Sequence, residues 1–151
     1  MEGWQSSFHS LPNRRNLPIE SLEARYPDLI NLRPQWTVNS AVRVVMEVGF
    51  PVAGNAVEEL LLEACYNLLD HVRQSGDGVI EHGSYQMNGP HGAVSLLVWN
   101  ANNHQTTYGV LRCALTCVVL WMREHEMSTA NFNIYDGANQ VGNAAIQQGP
   151  V

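Results

Sequence analysis

Lysine is absent from this sequence. All eight basic residues are arginines, whereas ordinary amino-acid usage gives roughly eight or nine lysines in a chain of similar length. Fourteen acidic residues outnumber these arginines, so the formal net charge is −6. Proteins that bind nucleic acid need clustered positive charge to neutralise phosphates. The charge balance therefore predicts no nucleic-acid partner.

Long apolar runs and paired cysteines are scarce as well. The longest strongly apolar stretch, residues 110–122, is interrupted by Arg112 and Thr116 and is too short to cross a bilayer. It predicts a buried helix and no membrane association. The three cysteines do not form a disulfide framework, which favours a reducing compartment. The N-terminal residues lack the features of a signal peptide, so we expect a cytoplasmic protein, with secretion as the alternative if a signal peptide has been removed.

Sequence motifs for catalysis and metal binding are also missing. The chain has no HExxH, no CxxC, no GxSxG and no glycine-rich loop between a strand and a helix. The weak catalytic candidates are His82, Ser84 and His91. The two histidines flank a predicted hairpin loop, with Ser84 nearby, so an acid–base or Ser-His arrangement is conceivable. Histidines in turns are more often solvated, so the sequence predicts no metal and no cofactor and leans against an enzyme.

Two cysteines lie four residues apart in the apolar stretch. Cys113 and Cys117 would share one face of a helix, which invites a metal or redox interpretation. Cysteine is also a common small core residue, and this helix is apolar nearly all round. We therefore interpret the pair as core packing.

The N-terminal region differs from the rest of the chain. Residues 1–36 contain four of the seven prolines and show no sustained period, which predicts an extended arm ahead of one domain that spans residues 37–151. The arm is too apolar for a solvated linker. Because aromatic residues dominate the centres of interfaces, we expect Trp4, Phe8 and Trp36 to be its anchors.

Periodicity and capping signals predict seven elements in the domain. They are a strand over 38–48, a helix that begins with a capping box at Asn55 and Glu58 and stops at Gly76, strands over 79–87 and 93–99, a helix over 108–125 capped by Thr107, and strands over 131–135 and 140–146. The order is β-α-β-β-α-β-β. We expect an α+β fold with two helices on one face of an antiparallel sheet, in a ferredoxin-like, split β-α-β layout with one extra terminal strand.

The last predicted hairpin carries almost no charge. Asp136 is the only charged residue between Met127 and Val151. Edge strands are usually protected by lysine, proline or charge, so the hairpin is interpreted as an unprotected edge that can accept another strand; an ordinary solvated amide-rich face is the competing interpretation. The predicted interface residues here are Asn131, Asn133, Tyr135, Gln140 and Asn143.

Three functional hypotheses follow. The first is a non-enzymatic interaction or self-assembly module that forms a homo-oligomer or binds a protein partner through this hairpin and the arm. The second is a small-molecule-binding protein or small enzyme with a site on the sheet face away from the helices. Its apolar walls would be Val45, Leu96, Val98 and Trp99, and its polar contacts His82, His91 or Tyr85. The third is a lysine-free secreted effector or toxin that acts in a host cell, because lysine is the usual acceptor of ubiquitin.

Overall fold

The first strand begins just after the N-terminal region. The computed structural model describes residues 41–151, so the predicted arm and its anchors Trp4, Phe8 and Trp36 lie outside the described residues. Strand β1 spans Val42–Pro51. It continues beyond the predicted end because the pairing with its neighbour resumes at Pro51 after an irregularity that follows Val48.

Helix α1 spans Ala56–Ser75 and ends at Gly76, which adopts a positive φ of 82°, as glycine tolerates. The predicted capping box is wrong. The side chain of Asn55 makes no capping hydrogen bond, and Glu58 is buried in an ion pair with Arg123. A guanidinium offers the carboxylate a full positive charge as well as N–H donors, whereas a backbone amide offers one uncharged donor, so the carboxylate pairs with Arg123 inside the protein.

Helix α2 spans Tyr108–Glu124, and its predicted cap is confirmed, because Thr107 Oγ1 accepts a hydrogen bond from the backbone N–H of Val110 at 3.1 Å. A second acceptor comes from the loop after α1. The backbone N–H of Gly109 donates to Asp77 Oδ1 at 2.9 Å, and a Cβ at position 109 would lie only 2.5 Å from Asp77 Oδ2. Glycine therefore lets the carboxylate reach the helix N-terminus, where negative charge is favourable.

The two helices run antiparallel side by side. The N-terminal turn of α1 contributes Glu58 to the ion pair with Arg123 at the end of α2, and the middle of α1 places Cys65 Sγ 3.7 Å from Thr116 Oγ1. Both contacts are buried. No described helix is long and apolar enough to cross a membrane.

Four further strands complete the sheet. They are β2 (Ser84–Asn88), β3 (Val94–Asn100), β4 (Ser128–Asp136) and β5 (Asn139–Gln148). β2 is shorter than the predicted strand over 79–87. Residues 81–83 form a 3₁₀ turn, and Val79 forms an isolated bridge with Thr107, so the first half of this segment holds the start of α2 instead of extending the sheet.

All neighbouring strands are antiparallel, in the order β1-β4-β5-β3-β2. The α+β class and the element order are confirmed, but the strand order is not clearly that of the predicted ferredoxin-like layout. The predicted edge position of the last hairpin is wrong, because β4 pairs with β1 and β5, while β5 pairs with β4 and β3. Its core-facing side chains, which include Phe132, Ile134 and Ile146, are buried and need neighbours on both sides. Among the strands of residues 41–151, β1 and β2 are at the edges of the sheet.

The core lies between one face of the sheet and the helix pair. α1 packs over β2 and β3, and α2 packs over β1 and β4. The sheet contributes alternate apolar side chains to this layer, which are Val44, Leu96, Val98, Ala130, Phe132, Ile134, Ala144 and Ile146. Because side chains alternate along a strand, the residues between these positions point away from the helices.

Candidate interaction surface

The side of the sheet away from both helices is the candidate site, and we call it the open face. It is formed by Arg43, Val45, Glu47, Ser84, Gln86, Asn88, Leu97, Trp99, Asn131, Asn133, Tyr135, Gln140, Asn143, Ala145 and Gln147. Ser95 lies on the same side of β3 but is completely buried. The register of the ladders places these side chains in rows across the strands. The central row runs from Val45 through Asn133 and Asn143 to Trp99. Amides therefore occupy the middle of the sheet, between two apolar side chains.

The five hairpin residues predicted from the sequence lie together on the open face. Asn131, Asn133 and Tyr135 belong to β4, and Gln140 and Asn143 belong to β5. The structure therefore brings these residues into one surface in the interior of the sheet, where the face of each strand and not its edge is accessible. Backbone pairing with another strand, which the sequence had suggested for this hairpin, is not available to them because both edges of β4 and of β5 are already used.

The amides are connected by hydrogen bonds. Gln140 Nε2 donates to Asn143 Oδ1 at 2.6 Å, and Asn102 Nδ2 donates to Gln140 Oε1 at 3.4 Å. These hydrogen bonds fix the orientation of the Gln140 and Asn143 side chains. Because an amide side chain has two donor hydrogens and an acceptor oxygen, each can also form a hydrogen bond with a ligand.

Two apolar side chains of the central row are accessible. Trp99 is 44% exposed and Val45 is 43% exposed. Trp99 lies beside Asn143 in the ladder between β3 and β5. A large aromatic surface next to hydrogen-bonding groups suits a contact that is partly apolar and partly polar.

The charged residues of the open face are both on β1. Arg43 and Glu47 lie on either side of Val45, and the remaining rows contain no charged residue. The guanidinium carbon of Arg43 lies 4.2 Å from the ring centroid of Tyr135, which is a cation–π contact. The charges of the face are therefore confined to one edge of the sheet.

The open face also contains shallow concavities. The larger one, of about 480 Å³, lies where β1 and β5 end and β4 begins, and is lined by Glu47, Gly49, Phe50, Thr129 and Gln147 among others. A neighbouring one of about 320 Å³ lies between β1 and β4. Most residues that line the larger concavity are exposed, whereas sites for small molecules usually bury most of the ligand surface.

The weak catalytic candidates are not brought together. His82 and Ser84 lie at the start of β2, whereas His91 lies beyond its end. A five-residue strand separates the two histidines, and it spans roughly 17 Å at the usual rise per residue. Within residues 41–151, no group of three or more histidine, cysteine or acidic side chains is placed to hold a metal ion.

The residues proposed for a small-molecule site are divided between the two faces. Val45 and Trp99 lie on the open face, but Leu96 and Val98 are buried under the helices. Tyr85 also lies on the helix side, where its hydroxyl donates to Asn67 Oδ1 of α1 at 2.8 Å, and burial raises its pKa. The predicted set of walls and polar contacts is therefore wrong for a single site.

The cysteines lie in the helix layer. Burial raises the pKa of the Cys65 thiol to about 12. The pKa of Cys117 is raised as well, through its hydrogen bond with Cys113 and through burial. Thiolates are the reactive and metal-binding form of cysteine, so protonated thiols fit the interpretation that these residues pack in the core.

Sequence reasoning missed several residues of the open face. Leu97 belongs to a strand that is apolar on both faces, so alternation alone could not assign it. Arg43 and Glu47 looked like the ordinary polar side of a strand. The signal that identifies all three is the register of each strand against its neighbour.

Comparison of the chain with protein-family models, with curated proteins and with solved structures found no match.

Proposed function

We propose that the protein is a non-enzymatic interaction module that binds the uncharged, polar surface of a partner protein through its open face. The observation that carries this proposal is the central row, in which Asn133 and Asn143 lie between the exposed Val45 and Trp99. The cores of protein interfaces are depleted of charge and enriched in tryptophan and tyrosine. The open face has this composition, and its rim at β1 carries the charges.

Chemical complementarity determines the kind of partner. Buried amides must be hydrogen-bonded or they cost free energy, so a wholly apolar partner surface would leave Asn131, Asn133 and Asn143 unsatisfied. A strongly charged surface would be desolvated without an opposite charge in the centre of the face. An uncharged surface that offers its own donors and acceptors, with an apolar patch opposite Trp99, avoids both penalties.

The alternative function is the binding of a small molecule in the concavity at the end of β1. Its volume of about 480 Å³ is within the range of ligand sites, which favours this candidate, although its exposed lining favours a protein contact. We also infer that the strand order is a rearranged ferredoxin-like layout, with β5 between β4 and β3; this relation carries no function. The lysine-free effector hypothesis stays a prediction.

The test is affinity capture on the immobilised full chain, followed by binding measurements with the purified captured protein. Asn133→Arg and Asn143→Arg each add a positive charge to the centre of the open face, and we expect each to weaken binding about tenfold or more. Gln74→Arg is the matched control, because Gln74 is exposed on α1 and the substitution adds the same charge on the opposite side of the molecule.

The outcomes separate the two candidate functions. Equal binding by all three variants and the unchanged chain would contradict the proposal. A small molecule that copurifies with the unchanged chain and is lost from Asn131→Arg, which changes a residue that lines the concavity at the end of β1, would favour the alternative instead. Thermal unfolding of each variant checks that any loss of binding occurs in a folded protein.

A further inference from the structure

β1 is an edge strand whose outward backbone groups can be identified. The backbone N–H of Gly137 donates to the carbonyl of Ala41 at 3.1 Å, in the same register that places Arg43 opposite Tyr135. Hydrogen-bonded and non-hydrogen-bonded pairs alternate along an antiparallel ladder. Arg43, Val45 and Glu47 therefore bond to β4, and the backbone groups of Val44 and Met46 point away from the sheet.

The regular part of this edge carries few of the features that prevent strands from pairing. Residues 42–48 contain no lysine and no proline, and the irregularity in the ladder occurs only between Val48 and Pro51. Their two charges, on Arg43 and Glu47, are of opposite sign. Natural edge strands are usually protected by such features, or by being very short. β1 has ten residues, and the stretch from Arg43 to Val48 is long and regular.

We propose that the protein forms a homodimer in which β1 pairs antiparallel with β1 of a second copy, centred on Val45. In this register Val44 lies opposite Met46 of the second copy, and Met46 lies opposite its Val44. Both are hydrogen-bonded pairs, so they contribute four backbone hydrogen bonds across the two-fold axis. The two five-stranded sheets join into one sheet of ten strands, with a continuous open face. This inference goes beyond the proposed function and does not depend on it.

Charge complementarity selects this register. Arg43 and Glu47 lie two residues to either side of Val45, on the same face of β1, so pairing centred on Val45 places Arg43 opposite Glu47 of the second copy, twice. Opposite charges in directly facing positions are favourable, and like charges are unfavourable. A shift of the pairing by four residues places either the two arginines or the two glutamates opposite each other. Neither Arg43 nor Glu47 has an ion-pair partner within residues 41–151.

The flank of α2 extends the proposed contact above the sheet. α2 packs over β1 and β4, and its side towards α1 contains Thr116 and Arg123. At about 100° per residue, Val110, Cys117 and Trp121 lie on the opposite side, and all three are only partly buried against the core. Pairing at β1 brings the two copies of this apolar stripe towards each other.

The first test uses charge reversal and sedimentation of the full chain over a range of concentrations. Arg43→Glu and Glu47→Arg each replace two attractive pairs of the homodimer with two repulsive ones, and we expect each to weaken dimerisation about tenfold or more. The double variant restores opposite charges and should dimerise like the unchanged chain. A mixture of the two single variants should form heterodimers, because every facing pair is then attractive.

The second test distinguishes edge pairing from packing of two open faces against each other. Val45→Cys places two cysteines opposite each other in a non-hydrogen-bonded pair, with Cα atoms about 4.5 Å apart, within the range for a disulfide. Packed sheets lie about 10 Å apart, which is too far. We expect a disulfide-linked dimer on mild oxidation. The matched control is Gln86→Cys on the other edge strand, which should stay monomeric on a non-reducing gel, as should the unchanged chain.

Each result decides the proposal. A chain that is monomeric at all concentrations overturns it, and so does a dimer that tolerates both single charge reversals. A dimer that responds to charge reversal but forms no disulfide crosslink in the Val45→Cys variant would overturn edge pairing in favour of face packing. Loss of partner capture in the Asn133→Arg variant, by contrast, concerns only the proposed function.

Discussion

The two edges of the sheet differ in length and in how they end. β1 has ten residues, whereas β2 has five and is closed at each end by a turn. In both turns a histidine with a positive φ is followed by a glycine with a positive φ: His82 (57°) with Gly83 (69°), and His91 (56°) with Gly92 (67°). A short strand between tight turns offers little backbone for pairing. One edge strand, β2, is therefore too short to pair readily with another strand. The other, β1, is long enough to pair with a strand that places opposite charges against Arg43 and Glu47.

Hydrogen exchange gives the largest expected contrast between the edges. The outward amides of Val44 and Met46 should exchange rapidly in dilute protein, because no residue within 41–151 accepts a hydrogen bond from them, and about tenfold or more slowly when the chain is concentrated enough to dimerise. The exposed residues of β2, such as Gln86, should exchange at rates that do not depend on concentration. Mass spectrometry of peptides from the two strands measures both. If exchange in β1 did not depend on protein concentration, this would contradict the inference that β1 pairs with a second copy whereas β2 does not.

Substitution of glycine tests how firmly each edge is attached to the core. A Cβ at Gly89, just after β2, would lie 2.7 Å from Val94 Cγ2 and 3.2 Å from the Val94 carbonyl. Gly89→Ala should therefore lower the free energy of unfolding by about 1–3 kcal/mol, as overpacking does. At Gly49 on β1 the nearest atom is the side-chain oxygen of Thr129, which accepts a hydrogen bond from the backbone N–H of Phe50 at 2.8 Å. Thr129 is only partly buried, so water can replace this exposed hydrogen bond if the side chain rotates. Gly49→Ala should cost less, as measured by denaturant unfolding; an equal or larger cost would show that β1 is as tightly held.

Substitution of His82 and His91, the two histidines with a positive φ, should have the smallest effect on stability. Asparagine tolerates a positive φ better than most residues because its short side chain can hydrogen-bond locally. We expect His82→Asn and His91→Asn each to raise the free energy of unfolding by about 0.5 kcal/mol. His104→Asn is the control, because His104 is exposed and is not among the residues with positive φ. Destabilisation by His91→Asn but not by His104→Asn would indicate that the imidazole makes a contact that stabilises the turn.

Much of the local structure could be predicted from the sequence because its causes are local. The period of the apolar residues located both helices. Gly76 marked the end of α1 because glycine tolerates a positive φ, and Thr107 marked the start of α2 because its side chain caps the helix. Glu58 shows the limit of this reasoning. Its spacing from Asn55 fits a capping box, but its partner is Arg123, 65 positions further along the chain. Nothing in the spacing of the first turn reveals that partner.

The position of the last hairpin could not be predicted for a related reason. Asn131, Asn133 and Asn143 alternate with apolar residues, and this pattern is the same for an edge strand and for an interior strand with one exposed face. Alternation records which face of a strand is buried, but not which strands flank it. The register places the five residues on one face of the sheet, and their predicted position at an edge is wrong; their role in an interface stays a prediction.

The strand order also has a consequence for synthesis. β1 is synthesised before the other four described strands, but its only neighbour within the described sheet is β4, whose paired residues follow 77 to 94 positions later along the chain. Until β4 emerges, both edges of β1 lack their native neighbour, and contacts so distant in sequence form slowly. On a polysome, where nascent copies lie close together, we expect two β1 segments to meet before either has met its own β4. The symmetric charges of β1 would then bring two chains together in register during translation rather than after it.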